Sequence, residues 1–149
     1  MVFFDKRGIR SMWFEKTLTV GKGKTRGGAI FIIDKTNFEI NKKIFIMNHV
    51  QMDGGGVYLL NCHHVTIQNC VFFMNFAKWG GAIYLEGCSN VKICNNLFLM
   101  NYAKRDGGAI SLSSCNNVQF YKNFFGLNKG FRSANRVDLY NSKHIVGIL

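Results

Sequence analysis

The fold is decided by two nearly identical phrases, NFAKWGGAI at residues 75–83 and NYAKRDGGAI at residues 101–110. Their Gly-Gly pairs belong to a series that begins at residues 27, 54, 80 and 107, with steps of 27, 26 and 27 residues. A second series of Phe-x-x-Asn units repeats with the same steps along the chain. Because both markers shorten by one residue in the same copy, the chain consists of repeats of about 27 residues.

Within each repeat, apolar and polar residues alternate with the period of a β-strand. Val91 and Ile93 flank Lys92, and the equivalent residues of the other repeats alternate in the same way. The segments after the glycines and around Phe-x-x-Asn supply two further short strands. The pattern predicts an all-β fold, a right-handed parallel β-helix (solenoid) of about five coils, with about 27 residues and three short strands per coil.

The repeats also define the expected domain organisation. Residues 1–26 form an amino-terminal segment with a degenerate capping coil, and residues 27–149 form the β-helix. Its coils are expected at residues 27–53, 54–79, 80–106 and 107–133, with a partial coil at 134–149. Terminal repeats that lose the pattern are typical of solenoids, whose ends need caps.

Two columns of like residues are interpreted as structural. Asn tolerates the left-handed backbone conformation, and stacked amides can hydrogen-bond from coil to coil. The predicted asparagine ladder consists of Asn48, Asn75, Asn101 and Asn128. The predicted core stack of aromatic rings consists of Phe45, Phe72, Phe98 and Phe125.

Cysteine and histidine do not form a metal-binding pattern. Cys62, Cys88 and Cys115 share a column, which is interpreted as small buried thiols rather than a redox or metal row. The adjacent His63 and His64 point to opposite faces of a strand, and no other repeat has them. No cofactor or metal is therefore expected. The odd count of five cysteines argues against a closed disulfide framework and allows an intracellular location.

Outward-facing columns are the candidates for interaction. On the first strand, the expected aromatic stripe binds sugar rings or a partner, or else supports strand pairing, and consists of Phe31, Tyr58 and Tyr84, continued by Ser111. The third strand is apolar on both faces, and its outer column includes Ile46, Phe73 and Leu99. Such a face is usually covered, here by the amino-terminal segment or by another subunit. A basic ridge in the turns after each Asn is formed by Lys78, Lys104, Arg105 and Arg132.

The net charge of +11 and the pI near 9.7 favour anionic partners. The expected partner is a protein or a larger assembly, with an anionic polysaccharide or surface as a further candidate and nucleic acid the least favoured. No apolar run approaches the ~18 residues of a membrane-spanning helix, so no transmembrane segment is expected.

The phrase Phe-x-x-Asn-x-Ala followed by Gly-Gly-Ala-Ile resembles the repeats of the chlamydial polymorphic outer membrane proteins. The fullest matches run from Phe72 to Ile83 and from Phe98 to Ile110, and the resemblance covers roughly residues 27–128. It implies a parallel β-helix passenger, adhesion, and a place at the cell surface.

The sequence predicts a non-enzymatic structural or adhesive module that presents a rigid face to partners, with no catalytic residues. Two alternatives stay open: a polysaccharide lyase or hydrolase, and an anionic-polymer binder that uses the basic ridge. An enzyme of that class needs clustered carboxylates. Only eight acidic residues are present, and Asp53 and Asp106, which share a turn column, are separated by a coil without an acid there.

Overall fold

The computed structural model describes residues 18–19, 25–131 and 137–147, and these residues are all-β. The strands that follow the glycines form sheet 1, with β2 (Ile30–Ile33), β5 (Val57–Leu60), β9 (Ile83–Glu86), β13 (Ile110–Ser113) and β17 (Val137–Tyr140). The alternating strands form sheet 2, with β3 (Thr36–Asn41), β6 (His63–Gln68), β10 (Ser89–Cys94), β14 (Asn116–Tyr121) and β18 (Lys143–Val146). The described residues make about four turns of a parallel β-helix.

The Phe-x-x-Asn strands form sheet 3, with β1 (Leu18–Thr19), β4 (Ile44–Ile46), β7 (Val71–Phe73), β11 (Leu97–Leu99) and β15 (Phe124–Gly126). All pairs are parallel, and each residue lies beside its equivalent in the next coil: Phe98 pairs with both Phe72 and Phe125. The repeat found in the sequence is therefore the pairing register of the fold. Like side chains stack because every coil repeats the same path.

A fourth sheet departs from the expectation of three strands per coil. Sheet 4 consists of β8 (Phe76–Ala77), β12 (Tyr102–Ala103) and β16 (Lys129–Gly130). Its strands directly follow the ladder Asn and have two residues each, which is too short to show an alternating pattern. The sequence pattern therefore predicts turns at these positions.

The core lies inside the coil and is a stack of equivalent side chains. The rings of Phe45, Phe72, Phe98 and Phe125 lie 4.6, 4.8 and 4.9 Å apart and within 8° of parallel. The first three are fully buried, with aliphatic side chains from sheets 1 and 2 around them. This stacking removes a large apolar area from water in every coil, which stabilises the solenoid.

The glycine pairs make the corner that precedes sheet 1. Gly80 has a φ of 59°, and a Cβ there would lie 2.1 Å from the carbonyl oxygen of Ile83. Gly81 is equally constrained, because its Cβ would lie 2.2 Å from the carbonyl oxygen of Gly108 in the next coil. The first glycine thus supplies a left-handed turn, and the second lets neighbouring coils approach.

Some sequence expectations lie outside the described residues. They are the amino-terminal segment, apart from residues 18–19 and 25–26, and Arg132 of the basic ridge. Among the residues described, no helix has the length and hydrophobicity needed to cross a bilayer.

Candidate functional site

The corner between sheets 3 and 4 contains a continuous ladder of buried amides. The side-chain oxygen of Asn101 accepts hydrogen bonds from the backbone N–H of Asn75 at 3.0 Å and from its Nδ2 at 2.9 Å. The Nδ2 of Asn101 in turn donates to the carbonyl of Phe72 and to the side-chain oxygen of Asn128, both at 2.9 Å. Asn48 bonds to Asn75 in the same way. Each amide thus satisfies backbone groups that the turn would otherwise leave unpaired.

A second, shorter ladder lies at the corner between sheets 2 and 3. The side-chain oxygen of Asn96 accepts from the backbone N–H of Cys70 at 2.9 Å, and its Nδ2 donates to the carbonyl of Ile67 at 2.9 Å. Asn96 also bonds to the side-chain oxygen of Asn123. Sequence reasoning missed this ladder, because the same column holds Cys70 and Lys43 in the earlier coils. The paired letters NN at residues 95–96 were the available signal.

The outer side of sheet 3 and the corner after it form an exposed apolar surface, here called the apolar face. It consists of Ile44, Ile46, Met47, Val71, Phe73, Met74, Leu97, Leu99, Met100, Phe124 and Leu127. The exposed fractions reach 56% at Met47, 61% at Phe124 and 78% at Leu127. The surface runs unbroken through four coils and contains no charged side chain. Contiguous exposed apolar patches are typical of contact surfaces.

The corner column of the apolar face has an unusual backbone. Met47, Met74, Met100 and Leu127 have φ values of 50°, 54°, 53° and 54°. This left-handed conformation costs an ordinary residue roughly 1–2 kcal/mol, whereas Gly, Asn and Asp adopt it readily. Every other described residue with positive φ is glycine or polar. Backbone geometry therefore does not explain the apolar side chains in this column.

The described part of the basic ridge, Lys78, Lys104 and Arg105, lies in the turns directly after sheet 4. The Nζ of Lys78 lies 4.3 Å from the ring centroid of Trp79, and the guanidinium carbon of Arg105 lies 5.8 Å from it. The Nζ of Lys104 lies 5.4 Å from the ring of Phe76. These contacts hold the cations in the turns that connect sheet 4 to sheet 1.

The aromatic stripe of sheet 1 is not the open surface that the sequence predicted. Tyr58 is fully buried, because its ring packs between Phe31 at 5.1 Å and Tyr84 at 5.4 Å. The guanidinium of Arg26 covers that ring at 5.3 Å, and the hydroxyl donates to Glu86. Ser111, which continues the row, is buried as well and donates to Asp138. The prediction of an exposed aromatic stripe was therefore wrong at Tyr58 and at Ser111.

The same turn region buries a carboxylate. Asp53 is 4% exposed, and its Oδ2 accepts from the Nε of Arg26 at 3.2 Å, while its Oδ1 has no partner. Burial raises the pKa of Asp53, and the charge of Arg26 opposes that rise only in part. Burial and the hydrogen bond to Glu86 also raise the pKa of Tyr58. The two carboxylates are engaged with protein groups rather than directed into an open cleft.

The cysteine column is internal. Cys62, Cys88 and Cys115 are buried free thiols, and their S–H groups donate to backbone carbonyls. Hydrogen bonding to Cys115, with burial, raises the pKa of Cys88 to about 12, so its thiol form is favoured. No three His, Cys, Asp or Glu side chains in the described part of the chain are grouped so as to hold a metal ion.

The cavities of the described residues are shallow. One of about 290 Å³ lies at the end of the last coil beside Phe120 and Phe125. Another, of about 250 Å³, lies on the outer face of sheet 2 beside Thr66, Lys92 and Gln119. Neither is lined by Asp or Glu, so neither offers the paired carboxylates of a glycoside hydrolase.

Comparison with protein families agrees with this architecture. The family described as right handed beta helix region matches residues 13–145. The chain therefore belongs to the right-handed β-helix family. Comparison with curated proteins and with solved structures found no match.

Proposed function

We propose that this chain is a non-enzymatic binding module whose rigid β-helix presents the apolar face to a partner. One observation carries the proposal: Met47, Met74, Met100 and Leu127 are exposed and left-handed in four successive coils. The disfavoured backbone costs stability there, and the exposed apolar side chains gain little burial in return. Contact with a partner accounts for both, since binding removes these side chains from water.

The rigidity of the fold supports this role. The asparagine ladder and the stacked phenylalanines fix the corner and the strand that carry the face. A surface held in one conformation loses little entropy on binding. The resemblance to surface adhesins agrees with a contact function, and adhesion is the particular role that we propose.

The carbohydrate-active alternative has less support. Asp53 is buried against Arg26, Glu86 accepts from Tyr58, and the described cavities have no carboxylate lining. Incubation of the purified chain with polyuronate is expected to release no new reducing ends or unsaturated products. Release of such products would overturn the non-enzymatic assignment.

The test of the contact surface compares the native chain with the Met74→Asn/Met100→Asn variant. Each immobilised chain is incubated with membrane and soluble fractions of source cells, and the retained material is quantified. A contact surface predicts that the variant loses most of what the native chain retains. The control is Val146→Thr, which removes an apolar residue that is 62% exposed on sheet 2. Equal retention by all three chains would contradict the proposal.

A further inference from the structure

The charges of the molecule are segregated around the β-helix axis. Sheets 3 and 4 and the corner between them, at residues 44–50, 71–77, 97–103 and 124–130, contain no Asp or Glu, and the acidic residues of the turns that follow sheet 4 are Asp53 and Asp106. The described acidic residues lie on sheets 1 and 2 or in the turns next to sheet 1: Asp34, Glu39, Asp53, Glu86, Asp106 and Asp138. The side that carries the apolar face therefore has an excess of basic over acidic residues.

Basic residues lie along both long edges of the apolar face. Lys42 and Lys122 are exposed at the corner before sheet 3. On the other edge, Lys129 is exposed on sheet 4 and Lys104 is exposed in the turn that follows that sheet. The surface thus has an apolar centre with cations on its two sides.

Half-buried aromatic rings lie on sheet 4 and in the turn after it, among the cations of that edge. The rings of Phe76 and Tyr102 stack at 5.3 Å on sheet 4, with Lys104 over Phe76. Trp79 lies in the turn after strand β8, and the Nζ of Lys78 lies over its ring. Amphipathic rings at a boundary between apolar and charged groups are typical of the interfacial zone of a bilayer.

An apolar centre with cations along its edges favours some classes of partner over others. A nucleic acid or an anionic polysaccharide would use the cations and leave the apolar centre exposed. A second copy of the chain would bring two positive sides together, and like charges repel. A stable protein interface needs roughly 800 Å² per partner, whereas the apolar face spans only four coils, or about 14 Å along the β-helix axis.

We infer that the side formed by sheets 3 and 4 is a peripheral binding surface for anionic lipid bilayers, an inference that rests on the proposed contact function of the apolar face. Met47, Met74, Met100 and Leu127 enter the boundary between headgroups and acyl chains, where amphipathic surfaces bury roughly 5–10 Å deep. Lys42, Lys104, Lys122 and Lys129 contact the lipid phosphates. The bilayer uses both features of the surface, which no other partner class considered above does.

The experiment is sedimentation with vesicles of phosphatidylcholine, with and without phosphatidylserine, at low and high salt. Strong binding is expected only with phosphatidylserine and low salt, because each basic residue near an anionic surface contributes about 1 kcal/mol, or roughly fivefold in partition. Met74→Asn/Met100→Asn is expected to reduce partition at least tenfold, since two partly buried apolar side chains are lost. Lys104→Glu is expected to reduce it more than fivefold.

Lys92→Glu is the matched control, because it makes the same change in net charge on the opposite side, on sheet 2. It is expected to reduce partition far less than Lys104→Glu. Equal losses in the two variants, or unchanged binding by Met74→Asn/Met100→Asn, would overturn the inference. If no vesicle binds but the double variant still loses material retained from cells, the lipid inference fails and the proposed contact function stands. If neither assay responds to the double variant, both fail.

Discussion

The two corners that bound sheet 3 both contain a residue of positive φ, but that residue is polar in one corner and apolar in the other. Before the sheet, the exposed residues of positive φ are Lys42, Asn69, Asn95 and Lys122; after it, they are Met47, Met74, Met100 and Leu127. In both corners the next residue points inward, and in the second it is always a ladder Asn. The polar corner shows what the fold alone favours. The apolar corner departs from that preference, and we attribute the departure to contact.

Removing a ladder Asn behind the apolar corner is expected to have the largest effect on stability. Asn101→Leu removes the acceptor for the backbone N–H and the Nδ2 of Asn75 and the donor to the carbonyl of Phe72. Each such group costs roughly 1–3 kcal/mol, so the free energy of unfolding is expected to fall by about 3 kcal/mol or more. Urea denaturation measures the loss. A change below about 1 kcal/mol would show that the ladder does not stabilise the corner.

The matched change behind the polar corner is expected to cost less. Asn96→Leu removes the acceptor for the backbone N–H of Cys70 and the donor to Ile67. Cys70 has no side-chain amide, so this variant loses no amide–amide bond on that side of the ladder. The free energy of unfolding is expected to fall by about 2 kcal/mol. Urea denaturation of the two variants side by side gives the comparison. A larger loss for Asn96→Leu than for Asn101→Leu would reverse the proposed ranking of the corners.

A third corner, before sheet 1, buries a charge where the others bury amides. Because burial raises the pKa of Asp53, the contribution of this group to folding stability is fully present below its unfolded pKa of about 3.9. That stability is lost as the pH rises through the raised folded pKa. Asp53→Asn is therefore expected to be more stable than the native chain at neutral pH, with an advantage that shrinks as the pH falls. Thermal unfolding at several pH values measures this. An advantage that grows toward low pH would contradict the assignment.

Periodicity predicted the fold class because the residues that pair between coils of a solenoid recur at a fixed spacing in its sequence. The column of Phe45, Phe72 and Phe98 is visible without coordinates, since each coil repeats the same requirement. The burial of Tyr58 was not visible, because it depends on Arg26 and Glu86 from neighbouring coils, which break the repeat.

The candidate site was only partly predictable for the same reason. The apolar outer column of sheet 3 was found from its alternation. The left-handed backbone conformation of Met74 and Met100 was not predicted, since sequence rules assign that conformation to Gly or Asn. The segregation of charge also required the positions of the sheets around the axis.

The most direct test of the central claim is the free energy of unfolding of Met74→Asn/Met100→Asn. If these side chains are kept for contact and not for the fold, the roughly 1–2 kcal/mol of left-handed strain that Asn relieves at each position should offset the lost packing of two methionines that are 46% exposed. Stability is then expected to be unchanged or raised. Urea denaturation of the native chain and the variant provides the value. A loss of more than about 1 kcal/mol would show that the apolar corner stabilises the fold itself, and would contradict the account.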